Sequence, residues 1–529
     1  MLQAIRQRVR IHDRYQLEIK IEYPVLPSKR TRYHLNTYLF IPHNLAINEL
    51  SYPTSEFYRR LQNYIRFKTP VLSAAELLHN PVAPLQLIDR IWQKPIASDD
   101  PETVTLLVEQ FKLLRAILRR TLDRRLQKGW RQATAAGQPK GDGDRATVTV
   151  DHLEAMFTEH IAVIEQIVAR FRRHKSKVDG ETVSERLQRS YRLTDEAISV
   201  VIEGNLLHAM RLVAESTVPE VNERLAPLLA TAIQNELTHR QQQGYRSLLL
   251  QREKQKKASP GIIGPWQHQS VDEANERYLY HLSLLKKYTS SVLYLSSLPQ
   301  AEGETVEHLL FALAAGISMI FATLLAFYAQ SVYGNFTTSL FIALVVGYMF
   351  KDRIKEIGRS RSKSLLRRYF YDRRVYISTL DRQQRLGRVR EKMTFLREQE
   401  LPAQVKAAYT MGQISPIEID GYSEHIIRYS RNVRLIADAF RKVRHEGVPL
   451  TGLSDILRLD IRPFLHKMDN PSERRYYLDG DTLRMVKLNR VYYINVISTY
   501  QKAGQEELFI SQNVRVTLNR KGLVRVEKL

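Results

Sequence analysis

From Leu309 to Phe350 the chain runs through 42 residues without one charged side chain. A membrane-spanning helix needs about 20 apolar residues, so the run is twice that length, and a soluble helix this long has no reason to be free of charge. The arithmetic favours a helical hairpin with spans at roughly 309–328 and 332–351. "SVYGNFTTS" would supply the turn and Gly334-Asn335 the break.

Small residues recur every four positions in both halves: Ala314, Ser318, Ala322 and Ala326 in the first, Ser339, Ala343 and Gly347 in the second. Such rows let helix backbones approach in lipid, within the hairpin or between copies. No carboxylate, Lys, Arg or His interrupts the run, which argues against a proton or ion path. The segment reads as an anchor.

Downstream comes "KDRIKEIGRSRSKSLLRR". Basic flanks lie on the cytoplasmic side, so both termini are expected there, with a bacterial inner membrane as the default location. Lys351, Arg353, Lys355, Arg359, Arg361 and Lys363 fall within about 20 Å of the bilayer edge on a continuing helix. They form an expected collar for anionic lipid. Arg367, Arg368, Arg373 and Arg374 hang about 25 to 35 Å below, beyond a Debye length. They are candidates for nucleic acid or an acidic partner.

The formal net charge of +24, from 80 Lys and Arg against 56 Asp and Glu, suits anionic partners in general. There is no Cys, hence no disulfide, thiolate metal site or Cys nucleophile. The N-terminus "MLQAIRQRVRIHDRYQ" is too charged for a secretory signal.

Before the apolar run, "RYQLEIKIEYPV" alternates as a half-buried strand, with Tyr15, Leu17, Ile19, Ile21 and Tyr23 on one face. "TRYHLNTYLFIP" reads as its hairpin partner, and a helix is expected at about 56–67. From Pro101 the period becomes helical. Val104, Leu107, Phe111, Leu114 and Leu118 form one stripe, and Leu153, Phe157, His160, Ile164, Ile167 and Phe171 another. The first stripe's helix ends in a basic half containing Arg115, Arg119, Arg120, Arg124 and Arg125. Thr182 with Glu185, Thr217 with Glu220 and Ser270 with Glu273 mark helix starts. The helix starting at Thr217 should run on to about Lys256.

After the run, Ser415-Pro416-Ile417-Glu418 begins an expected helix with the stripe Ile426, Val433, Ile436, Phe440 and Val443, and "SDILRLDIRPFLHKM" a shorter one. The last fifty residues turn to strands, which are expected to dock on those of the N-terminus.

The predicted fold class is therefore mainly α with small α+β or β terminal regions, a two-span hairpin and long cytoplasmic helices. The expected organisation is a small α+β unit (1–95), a helical bundle or stalk (96–300, linker 136–147) and the hairpin (301–352). A basic juxtamembrane helix (353–414), a helical region (415–480) and a β-rich end (481–529) follow.

Chemistry is scarce. "LDGDTL" at 478–483 contains Asp-x-Asp, but Asp-Gly between strand-like runs is foremost a hairpin turn. His152, Glu154, Glu159 and His160 lack zinc spacing. Glu236 and His239 share a helix face but want a second such pair for a di-metal site. No P-loop, dinucleotide loop or nucleophile elbow occurs, so no cofactor and no catalytic residue is expected. The expected function is a non-catalytic, oligomeric, membrane-anchored scaffold or assembly component. A membrane-tethered nucleic-acid binder or sensor and an enzyme with an unrecognised site are the alternatives.

Overall fold

The computed structural model describes residues 5–25, 31–93, 100–136, 145–180, 183–216, 218–246, 271–334, 337–381, 383–412, 424–443, 447–502 and 508–529. The chain divides into two compact units, one of residues 1–66, 295–440 and 452–529, the other of residues 67–294 and 441–451.

The first unit overturns the expectation of a mainly α chain with minor terminal β regions. It is built on β1 (Arg6–Ile11), β2 (Gln16–Pro24), β3 (Thr31–Ile41), β4 (Leu61–Phe67), β5 (Ser296–Ala301), β6 (Arg373–Ser378) and β7 (Arg385–Leu396). It continues with β8 (His425–Leu435), β9 (Gly452–Asp460), β10 (Ser472–Asp479), β11 (Thr482–Asn489), β12 (Tyr492–Lys502), β13 (Phe509–Asn519) and β14 (Gly522–Lys528). One sheet has the order β1-β2-β9-β4, and an eight-stranded sheet the order β14-β13-β12-β3-β8-β7-β6-β5. β10 and β11 stand alone as a third, two-stranded ribbon.

Of the expected N-terminal face, Leu17, Ile19, Ile21 and Tyr23 are buried, whereas Tyr15 precedes β2 and is exposed. On the other face of β2, Glu18 sits between its cross-strand neighbours Arg10 and Arg458. Yet β2 does not pair with β3. β2 lies between β1 and β9, while β3 lies between β12 and β8 in the other sheet. The two strands instead face each other through Tyr23 and Tyr33, stacked at 5.8 Å. Further side chains bridge the sheets, such as Gln7 to Ser498 at 2.7 Å. The strands of the two chain ends do join, β3 pairing antiparallel with β12.

Six stretches within ranges expected as helix are strand, β7 (inside 353–414) and β10 (inside 415–480) among them. The segment 56–67 is helix only as α1 (Thr54–Arg60), and then Leu61, Ile65 and Phe67 turn inward at period two as β4. "RRVYIS" is β6 rather than the end of a basic helix. The stripe from Ile426 belongs to β8, and "SDILRLD" to β9. The expected start at Ser415 lies outside the described residues.

The second unit is helical: α2 (Ala74–His79), α3 (Pro84–Gln93), α4 (Pro101–Ala136), α5 (Arg145–Arg172), α6 (Lys175–Val178), α7 (Glu185–Ala214), α8 (Pro219–Gln243) and α9 (Val271–Ser290). Both predicted stripes are buried. Thr182, Thr217 and Ser270, the expected caps, lie outside the described residues. α8 stops far short of residue 256, at Gly244, whose φ of 68° ends the helix in the left-handed region.

Back in the first unit, β5 leads into α10 (Glu304–Tyr333) and α11 (Thr338–Tyr369) returns to β6. These two long helices are therefore an insertion between the edge strand β5 and its antiparallel neighbour β6, with Ala301 paired to Arg373 at their base. α12 (Ala403–Met411), α13 (Ala437–Val443) and α14 (Arg462–Leu465) complete the elements. α12 lays Val405 and Ala408 on Tyr38, Phe40, Ile426 and Ile497, so it covers one end of the eight-stranded sheet's outward face.

Candidate functional site

Two helices are long and apolar enough to cross a membrane among the described residues, α7 and α10. Half of the apolar stretch of α7 is buried within its own unit, which marks it as a bundle helix; that of α10 is almost wholly exposed. Leu309, Ile320 and Phe327 are 69%, 62% and 66% exposed.

α11 is not its equal. The turn falls at Gly334, so α10 has 25 uncharged residues, from Leu309 to Tyr333, and α11 only 13, from Thr338 to Phe350. At 1.5 Å per residue these are about 37 Å and about 20 Å. The second span expected from residue 332 is thus cut short, because the first helix keeps Val332 and Tyr333 and α11 begins only at Thr338.

The register between the helices is set by small residues. Ala314 and Ser318 are buried, and Ala322 and Ala326 half-buried. From α11, Gly347 is buried and Ala343 half-buried, whereas Ser339 points outward. A Cβ on Gly347 would come within 2.6 Å of Leu325, and one on Gly358 within 2.7 Å of Ala314. The rows zip the hairpin to itself, and Gly358, which the small-residue pattern missed, extends the seam.

That register places the collar opposite apolar residues. Lys351 lines a groove with Met319, Ala322 and Thr323, in the middle of the uncharged part of α10, and its ammonium lies over the Tyr348 ring at 3.9 Å. Arg353 pairs with Glu356, Arg359 lies over Phe311, Lys355 is half-buried and Arg361 exposed. The side chains of Lys363, Arg367 and Arg368 lie outside the described residues.

Arg373 and Arg374 point to opposite faces of β6. Arg373 turns inward, bonds Glu391 and covers the Tyr58 ring at 4.1 Å. Glu391 also holds Arg431 at 3.1 Å, and Arg431 reaches Asp455 at 2.6 Å and the Tyr23 hydroxyl at 3.3 Å. Arg431, Glu391 and Asp455 are all buried. Burial pushes the Asp455 carboxyl up against the opposing pull of Arg431. This is a neutralised cluster between the two sheets of the first unit.

Arg374 turns outward and shares Glu302 with Arg390, at 2.8 Å and 2.6 Å. Burial raises the Glu302 pKa, but the two guanidiniums outweigh it and hold the carboxyl below its usual value. The same outward face carries Arg388, Lys392, Arg428, Arg434 and Arg32. Burial, with Arg428 beside it, lowers the His34 pKa there.

The remaining motifs resolve into packing. His160 bonds Asn205 at 2.7 Å in the bundle core. Glu154 and Glu159 pair with Arg224 and Arg125. In the basic half of α4, Arg115 is buried, its pKa lowered by burial to about 10, and Arg120 donates to the Thr69 carbonyl. Glu236 pairs with Arg172 and His239 with Asp195, which also accepts from Arg172 and Tyr245. No group of three or more metal-ligating side chains occurs among the described residues. "LDGDTL" is the turn between β10 and β11, with Gly480 at φ 62°. That ribbon is exposed along both strands, Leu478, Leu483 and Met485 included.

No protein-family model matches the chain, and no curated protein or solved structure is significantly similar to it.

Proposed function

We propose that this chain is a homo-oligomeric membrane scaffold, anchored by the α10–α11 hairpin, with its soluble mass on the cytoplasmic side and copies assembled through α11. The observation that carries the reading is the mismatch within the hairpin. At the level where Leu313, Ile317 and Ile320 of α10 expose apolar surface, α11 exposes Asp352, Arg353, Glu356 and Arg359. A lone hairpin in a bilayer puts those charges in hydrocarbon, at about 2.5–3.5 kcal/mol each near the centre; raised into water, it strands the apolar side chains. Copies packed with α11 inward and α10 outward satisfy both helices, and Asp352 and Glu356 of one copy then meet the arginines of the next.

The sheet supports a shared side for both flanks. β3 and β5, which precede the hairpin, are hydrogen-bonded to β8, β12 and β6, which follow it. A bilayer cannot pass between strands about 4.8 Å apart. The basic flank of α11 favours the cytoplasmic side, where anionic lipid would meet it.

The absence of cysteine makes the test clean. Ile357→Cys, on the exposed side of α11, should cross-link between copies on oxidation in membranes, and Ile320→Cys on α10 should not. A single-chain mass by light scattering in detergent, or cross-linking at 320 in place of 357, overturns the reading.

A further inference from the structure

The outward face of the eight-stranded sheet holds three arginines shoulder to shoulder. Register sets Arg32 opposite Arg434, and Arg434 opposite Arg388; two residues along β7 from Arg388, Arg390 lies opposite Asn432. These five line a cleft of about 150 Å³. Like charges directly opposite one another destabilise a sheet. Arg390 is relieved by Glu302, but among the described residues no carboxylate pairs with Arg32 or Arg388. On the inward face of the same strands, Arg431 is matched by Glu391 and Asp455. This fold therefore neutralises charge where it must and leaves Arg32 and Arg388 without a carboxylate here, among the described residues.

Planar guanidinium forks match the oxygens of a phosphate, and the Asn432 amide adds a neutral donor. A cavity of about 150 Å³ holds a group the size of benzene, which suits a phosphate or diphosphate but not a whole nucleotide. A second cleft of about 670 Å³ adjoins it, lined by Val306, Phe370, Arg374 and Tyr376 among others. The pairs Arg374–Arg390 and Tyr376–Arg388 join the two. A ligand with its phosphate on the arginines has room there for a larger, partly apolar body.

We infer that Arg32, Arg388 and Arg434, with Arg390 and Asn432, form a binding site for a phosphate group, carried by a soluble ligand or by the headgroup of an anionic lipid. The site belongs to the sheet and stands whether or not the chain assembles through α11.

The test is isothermal titration of the full chain in neutral detergent at low salt. One arm uses inorganic pyrophosphate, the other short-chain phosphatidic acid with phosphatidylcholine as the uncharged control. Saturable binding in either charged arm, weakened at least about tenfold in Arg32→Gln/Arg388→Gln, supports the site. Pyrophosphate binding identifies a soluble phosphate as sufficient; binding of phosphatidic acid alone identifies the lipid. Without ligand, the double variant should melt at or above the parent's temperature, because it removes opposed charges. Absence of binding in both arms, undiminished binding by the variant, or a clear fall in its melting temperature overturns the proposal.

Discussion

Strands β7 and β8 carry charge on both faces, and the two faces treat it in opposite ways. Inward, Glu391, Arg373, Arg431 and Asp455 make a closed, electrically balanced group between the sheets. Outward, Arg388, Arg434 and Arg32 lie in line across three strands, and Glu302 relieves only their neighbours Arg374 and Arg390. A buried charge must find its complement or the fold fails. A half-exposed one is tolerated unpaired, so the charge of Arg32 and Arg388, which no carboxylate pairs among the described residues, is free to serve a ligand.

The contrast breaks first at its centre. Arg431→Met leaves Asp455 without its cation in the core and Glu391 with Arg373 alone, and should remove about 3–5 kcal/mol of stability, read from urea unfolding; a loss under about 1 kcal/mol would mean the cluster is not electrostatically closed. Replacing Arg431→Met and Asp455→Leu together keeps Glu391 on Arg373 and leaves no uncompensated charge in the group. We expect the double variant to unfold at higher urea than Arg431→Met alone, and a further loss would show that shape rather than charge holds the site.

Glu302→Gln sharpens the outward side with a smaller effect. It weakens two charge-assisted bonds on a half-exposed face, and about 1–2 kcal/mol should go at neutral pH. Because the folded carboxyl titrates below its ordinary value of 4.5, its contribution is full above that value and lost as pH falls through the folded one. Parent and variant should therefore converge in acid; a gap that persists would assign the difference to packing.

The helical unit was legible at the level of its stripes. Phe111, Phe157 and Phe171 stand at period-3.6 positions and all are buried, because a helix long enough to show several turns repeats its signal. β7, β8 and β9 were hidden for a specific reason. Their inward rows read Val389-Glu391-Met393, Tyr429-Arg431-Val433 and Leu453-Asp455-Leu457, a charge in the middle of each. Each alone looks like a broken alternation, and only together are they a core. The hairpin was legible as apolar length with its break at Gly334, but the unequal lengths of the two helices' uncharged parts were not. The arginine cleft left no trace along the chain, since Arg32 lies hundreds of residues before Arg388 and Arg434 and no local spacing relates it to the other two.

By itself the sequence determined what depends on near neighbours: helix stripes, the terminal strands, the Asp-Gly turn and an apolar run too long for one span. Tertiary structure alone decided which strands share a sheet, where charge is cancelled and where it accumulates. Local periodicity reports burial one turn at a time, whereas Coulomb pairing acts through space between residues that the chain order keeps apart.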